Sequence, residues 1–259
     1  MNCKIRQAKT RPLQTASSLP RYYGGLSAPQ ASRLLVLFDI DGTLVRRAGS
    51  VHREALVCAV RDVLAVETRN DNISVHGKLD SDILLEMMAN AGVPRSRARA
   101  ALPAIYLSAE RYYARNVRTL RRKTCPGVRS LLERLRQRGD VLGIVSGNLE
   151  RIGWKKLEMA ALAGYFHFGV FAESGPTRAR LARAAIGEAR RCWWGDGRTR
   201  RRFRGVLIGD TPNDVAAGQA NGLDTIAVAT GLCSLDELRA AGPTLCVPDL
   251  AHPAVLEFL

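Results

Sequence analysis

Four short apolar runs, each stopping abruptly at a small or acidic residue, constrain this chain more than any other feature. They are LLVLFDI at 34–40, VLGIVSG at 141–147, GVLIGD at 205–210 and TIAVATG at 225–231. Runs of this length without polar alternation suit strands buried on both faces, the environment of a parallel sheet. Stretches of helical period lie between them. PGVRSLLERLRQRG at 126–139 places apolar residues at 128, 131, 132 and 135. Residues 149–163, 178–191 and DVAAGQANG at 214–222, closed by Gly222, read in the same way. Strands alternating with helices predict an α/β fold, a doubly wound parallel sheet. In such a sheet the reactive groups collect at the carboxyl ends of the strands.

Residues 52–123 break the alternation. HREALVCAVRDVLAV, SDILLEMMANAGV and PAIYLSAERYYARNV all read as helix, with Gly92, Pro94 and Pro103 as punctuation. Helices of this extent between the first and second strands predict an inserted helical cap domain. The expected organisation is a basic tail without a fold of its own over 1–33, a core over 34–51 and 124–259, and the cap over 52–123. From residue 95 to 123 the cap carries eight arginines and Lys123 against one acid, Glu110. Most of these bases are expected on a solvated helix face.

The strand ends carry the chemistry. Asp39 and Asp41 follow the first strand two residues apart, a spacing that turns both carboxylates toward one reaction centre. Asp39 can attack phosphorus as a carboxylate nucleophile. Asp41 can protonate a leaving oxygen and then deprotonate water. Gly42 permits a sharp turn out of the strand, and Thr43 follows it. Ser146, with Gly147 and Asn148, offers a hydroxyl and amides to a phosphoryl oxygen; the plainer role for Ser-Gly is a strand-exit turn. Asp210 and Asp214 in GDTPND suit an oxygen-lined Mg²⁺ site. Asp214 has a second plain role, capping the helix that follows.

Taken together, these elements resemble the haloacid dehalogenase-like hydrolase superfamily, and within it the phosphoglycolate-phosphatase-like branch with a helical cap. The resemblance spans roughly residues 34–259. It implies a Rossmann-like core, a Mg²⁺ cofactor, and hydrolysis of a small-molecule phosphate ester through an aspartyl-phosphate. It assigns Asp39 as nucleophile and metal ligand, Asp41 as general acid/base that lends its carbonyl to the metal, Ser146 as the second-motif hydroxyl, and Asp210 and Asp214 as the final acids. HGKLDSDIL at 76–84 resembles the branch's cap loop and makes Lys78 a candidate substrate contact, although Leu79 stands where threonine is usual. The branch usually has a lysine bridging nucleophile and phosphate, and no lysine follows Lys156. Arg178 in FAESGPTRARLARAA is the expected replacement, with Arg180 and Lys156 as alternatives. Asp41 favours a phosphatase over a dehalogenase, because an alkoxide needs a proton and a halide does not. A sugar phosphomutase shares these motifs and differs in excluding water. A member made inactive by the missing lysine is a further alternative.

Charge suggests a reading from another class. The 259 residues hold 39 Lys+Arg and 24 Asp+Glu, so 39 − 24 = +15. A basic chain adheres to anions, nucleic acid and anionic lipid. RTRRRFR at 198–204, with Trp193, Trp194 and Phe203 able to stack on bases, would suit a nucleic-acid-binding module. Such a module needs no set of strand-end acids, so no specific nucleic-acid partner is expected. Six scattered cysteines without metal-ligand spacing fit a reducing compartment. No apolar run is long enough to span a membrane. The expected location is cytoplasmic, with organelle targeting by the acid-free tail as the alternative. The sequence sets no oligomeric state.

Overall fold

The computed structural model describes residues 34–46, 50–70, 73, 77–194 and 204–259. The expected tail over 1–33 and most of RTRRRFR lie outside the described residues. Six strands, β1 (Leu35–Phe38), β2 (Val141–Val145), β3 (Phe168–Val170), β4 (Gly205–Gly209), β5 (Asp224–Val228) and β6 (Leu245–Val247), form one sheet in the order β3-β2-β1-β4-β5-β6. Every pairing is parallel. β1 lies at the centre between β2 and β4, where the strand order reverses. That reversal opens the crevice in which open α/β sheets bind ligands.

Side-chain alternation along each strand builds two cores. Val36, Phe38, Leu142, Ile144, Val206 and Ile208 face one way, onto Leu131, Leu132 and Leu135 of a helix at Val128–Arg138 and Leu157 of a helix at Glu150–Met159. Leu35, Leu37, Val141, Val145 and Leu207 face the other, onto Leu181, Ala182 and Ala185 of a helix at Arg178–Ala189. Each large aliphatic side chain fully buried in this way contributes about 1.5–3 kcal/mol. β3 and β6 have no counterpart among the expected strands. Both are sheet edges three residues long and only partly buried, which is too little sequence to show a period.

Three helices, α1 (Val51–Leu64), α2 (Asp80–Asn90) and α3 (Arg95–Asn116), stand between β1 and β2. In chain order the remaining helices include α4 (Val128–Arg138), α5 (Glu150–Met159), α6 (Arg178–Ala189) and α7 (Pro212–Gln219). The inserted helices bury a core of their own, with Leu56 and Val60 from α1, Leu84, Met87 and Met88 from α2, and Ile105, Ala109 and Tyr113 from α3. Leu149 and Ile152, at the start of α5, join that cluster and seat it on the sheet domain. Pro103, expected as punctuation, lies inside α3. A proline there removes one backbone hydrogen bond and costs about 3 kcal/mol. The helix continues because Ile105, Ala109 and Tyr113, each four residues from the next, bury one face against the other inserted helices. Among the described residues no helix is long and apolar enough to cross a membrane.

Candidate active site

The carboxyl ends of β1, β2 and β4 meet at the bottom of a cavity of about 420 Å³. Its floor carries Asp39, Asp41, Ser146, Arg178 and Asp210. Its roof carries His52 and Leu56 of α1 together with Lys78, Asp80 and Ile83 around the start of α2. The Asp39 N–H is still in the sheet ladder, donating to Ile208 O at 3.0 Å. The chain then turns sharply. Ile40 O accepts from Leu44 N at 3.0 Å and Val45 N at 2.9 Å, and Gly42 takes φ +86°. A β-carbon at Gly42 would also stand 2.1 Å from Asp210 Oδ2, so the turn needs glycine for its conformation and for room.

Asp39, Asp210 and Asp214 offer carboxylate oxygens that all lie within 4.8 Å of one another, and all three are buried. Arg178 is buried beside them. Its Nη1 donates to Asp39 Oδ1 at 2.8 Å and to Val145 O at 3.2 Å, and its Nε stands 3.4 Å from Asp214 Oδ1. Thr43 Oγ1 donates to Asp210 Oδ1 at 3.3 Å. The N-cap of α7 is Thr211, not Asp214. Asp214 sits at the third helical position and completes a capping box, its Oδ2 accepting from Thr211 N at 3.1 Å and Thr211 Oγ1 at 2.6 Å. The capping role therefore uses one carboxylate oxygen. The other, Oδ1, is buried without a hydrogen-bond partner.

Two of the candidates for the missing lysine are separated from Asp39. Arg180 is exposed. Lys156 is buried against the other acid, with Nζ 2.5 Å from Asp41 Oδ2. Asn148 spends its side chain inside the site, Nδ2 donating to Asp41 Oδ2 at 2.8 Å and to Ser146 Oγ at 2.7 Å. Gly147 approaches the roof so closely that a β-carbon there would meet Lys78 O at 2.6 Å. Lys78 lines the cavity and is paired with Glu86 at 2.5 Å.

A model of the haloacid dehalogenase-like hydrolase family matches residues 36–219, from β1 through α7. The chain belongs to the haloacid dehalogenase-like hydrolases. It is similar to a phosphoglycolate phosphatase of Aquifex aeolicus, 26% identical over 208 residues that cover 78% of this chain and 87% of the relative. A solved structure described as a predicted phosphatase from Clostridium acetobutylicum superposes with a TM-score of 0.61 at 21% identity, covering 87% of this chain and 99% of that one. A β-phosphoglucomutase from Clostridium difficile has the same fold, with a TM-score of 0.61 at 14% identity over 86% of this chain and 95% of that one.

The electrostatics of the crevice fit a divalent cation. Burial pushes the Asp39 carboxyl up to about 6 against the pull of Arg178, with Asp214 and Asp41 adding to the rise. Burial, then Asp39 and Asp214, push Asp210 up to about 9. Carboxylates raised in this way by burial and by one another are stabilised by a cation placed among them. The donors are all oxygen, which suits a hard ion such as Mg²⁺, and Asp214 Oδ1, which accepts no hydrogen bond, is a ready ligand atom. Burial would also raise Asp41, but the Lys156 ammonium, with hydrogen bonds from Lys156 and Asn148, outweighs it and holds that carboxyl below its usual value. Two acids two residues apart thus have opposite environments, the usual mark of a division of labour.

His52 and Asp80 took no part in the sequence reading. Asp80 Oδ2 accepts from Leu149 N at 2.8 Å and lies 2.9 Å from His52 Nε2, while Asp80 N donates to Gly147 O at 2.7 Å. Asp80 thereby ties the start of α2 to the loop after β2. It stands in the HGKLDSDIL segment, whose likeness to the branch's cap loop was the available signal. His52 opens the inserted stretch and carried no signal of its own.

Proposed function

We propose that the chain is a Mg²⁺-dependent phosphomonoester hydrolase that acts on a small-molecule phosphate ester through an aspartyl-phosphate on Asp39. The observation that carries this reading is Asp41, partly open to the cavity two residues beyond Asp39. A carboxyl there serves an ester whose leaving oxygen needs a proton, and it has no task in displacing a halide. Asp39 attacks phosphorus as the P–O ester bond breaks, and Asp41, entering this step as the carboxylic acid, gives its proton to the departing oxygen. Asp41, now a carboxylate, takes a proton from the water that cleaves the aspartyl-phosphate. Arg178 lies against Asp39 and can neutralise nucleophile and phosphoryl group together, the task of the missing lysine. The Ser146 hydroxyl and the amides of Gly147 and Asn148, which line the cavity, can receive the phosphoryl oxygens; the Gly42 amide already donates to Val45 O at 2.8 Å, and Thr43 is buried outside the lining.

Asp39, Asp210, Asp214 and the Asp41 carbonyl would hold the ion, which would offset the repulsion between an anionic nucleophile and an anionic ester. Thr43 steadies Asp210, and the Thr211 capping box steadies Asp214. We take residues 52–123 as a cap unit that closes the cavity and selects the ester, with Lys78 and its neighbours facing the leaving group. Charge complementarity at Asp39 argues against the inactive alternative.

The test is release of inorganic phosphate from p-nitrophenyl phosphate and a panel of small esters. Turnover is expected with Mg²⁺, with loss in EDTA and in Asp39→Asn. Turnover unaffected by Asp39→Asn would overturn the reading. Transfer of labelled phosphate between positions of a sugar, with none released to water, would move the chain to the phosphomutases.

A further inference from the structure

Lys156 is the most anomalous charge among the described residues. It lies within α5 and is 1% exposed, whereas lysine is almost never fully buried unless paired. Its Nζ lies 2.5 Å from Asp41 Oδ2, 2.7 Å from Asn148 Oδ1 and 3.1 Å from His52 Nδ1. An ammonium has three protons to donate, so these contacts use all of them. Asn148 completes a closed triangle by donating from Nδ2 to the same Asp41 Oδ2 at 2.8 Å. Both bonds to Asp41 therefore fall on one oxygen, and Oδ1 takes neither. His52 is fixed in turn. With Nδ1 accepting from Lys156, its proton sits on Nε2 and is donated to Asp80 Oδ2 at 2.9 Å. Asp80 is anchored by Leu149 N at 2.8 Å.

Lys156 does not reach the nucleophile; Arg178 is the cation beside Asp39. Nor is it a surface charge that happens to fold inward, since every proton is committed to a site residue or to a residue of the inserted helices. Its three contacts join α5 and the loop that leads into it from β2 to the turn after β1 and to α1, the last two more than 100 positions away in sequence.

We propose that Lys156 is a positioning residue that pins Oδ2 of Asp41, together with Asn148, so that Oδ1 is presented to the leaving oxygen. His52 and Asp80 hold Lys156 in place, so the seating of α1 and α2 on the sheet domain sets the placement of the acid/base. This inference rests on the phosphatase reading of the same site and deepens it.

A leaving-group comparison separates positioning from mere structural support. The p-nitrophenolate ion departs without a proton, whereas the alkoxide of an alkyl ester such as 2-phosphoglycolate requires one from Asp41. The ratio of kcat/KM for the two esters reads that proton, because kcat/KM covers the steps up to leaving-group departure. Lys156→Met, near in length and uncharged, should lower kcat/KM for the alkyl ester at least about tenfold more than for the aryl ester, within the range attributed to general acid catalysis. Lys156→Arg should restore part of the ratio. His52→Asn, whose side chain is less buried, should shift the ratio in the same direction and carries the test if Lys156→Met does not fold. Equal losses on both esters in Lys156→Met or His52→Asn, or no loss on either, would overturn the inference. Wild-type protein that hydrolyses neither ester would instead sink the phosphatase reading itself.

Discussion

Arg178→Met keeps a long side chain at the position and deletes the one cation that touches Asp39 among the described residues. The guanidinium donates to Asp39 at 2.8 Å and stands 3.4 Å from Asp214, with all three side chains at most 8% exposed. Removing one partner of a buried ion pair costs about 3–5 kcal/mol, because the remaining charge has lost its compensation. In a chain of this size each kcal/mol moves Tm by about 2–4 °C, which gives a fall of about 6–20 °C. The loss should be greatest in EDTA and smaller with Mg²⁺, since an ion among the same carboxylates supplies charge that the arginine no longer does. It should also shrink toward pH 5, where Asp39, raised to about 6 by burial, already carries a proton. Activity should fall about 10²- to 10³-fold, the usual loss for one electrostatic stabiliser of a transition state. Differential scanning fluorimetry with and without EDTA, alongside initial rates on p-nitrophenyl phosphate, makes both measurements. An Arg178→Met protein with unchanged Tm and unchanged kcat/KM would refute the reasoning.

Other outcomes follow from the same geometry. Asp39, Asp210 and Glu173 are raised by burial to about 6, about 9 and about 7. The folded chain therefore holds more protons than the unfolded chain from about pH 4 upward, and its metal-free stability must fall as pH rises through those values. Tm in EDTA should be lower at pH 8.5 than at pH 5.5, and saturating Mg²⁺ should restore more at the higher pH; a Tm in EDTA that climbs across this window would contradict the argument. Gly231→Ala would place a β-carbon 1.7 Å from Asp210 Oδ2 and must displace that carboxylate. Displacement on the order of 1 Å should cost about 10²-fold in turnover, measured beside Gly164→Ala, which meets nothing within 4 Å and should behave as wild type. Asp80→Ala strands the buried Leu149 N–H and should cost about 1–3 kcal/mol in urea unfolding.

The central strands were legible because burial on both faces leaves an unbroken apolar run, as in Leu35–Phe38 and Val141–Val145. β3 and β6 were not, because an edge strand of three partly buried residues has neither length nor alternation. Pro103 misled as a helix break because its cost is local, whereas the packing of Ile105, Ala109 and Tyr113 belongs to the tertiary structure. At the site, the acids at 39, 41, 210 and 214 could be placed from strand ends alone. The contacts of Arg178, Arg180 and Lys156 could not, because helix phase relative to the sheet decides which base turns inward. Arg178, the first residue of α6, turns to Asp39, Arg180 turns outward, and Lys156 finds Asp41 from a different helix. The Asp80–His52 link joins residues whose separation in sequence, 28 positions, has no local signature.

The central claim is a covalent bond between phosphorus and Asp39. Rapid acid quench of the protein turning over a phosphate ester, followed by peptide mass spectrometry, tests it directly. The account predicts a phosphorylated peptide with the modification on Asp39, present in the wild type and absent in Asp39→Asn. Steady turnover with no phosphorylated Asp39 at any quench time, or phosphate carried on another side chain, would contradict it.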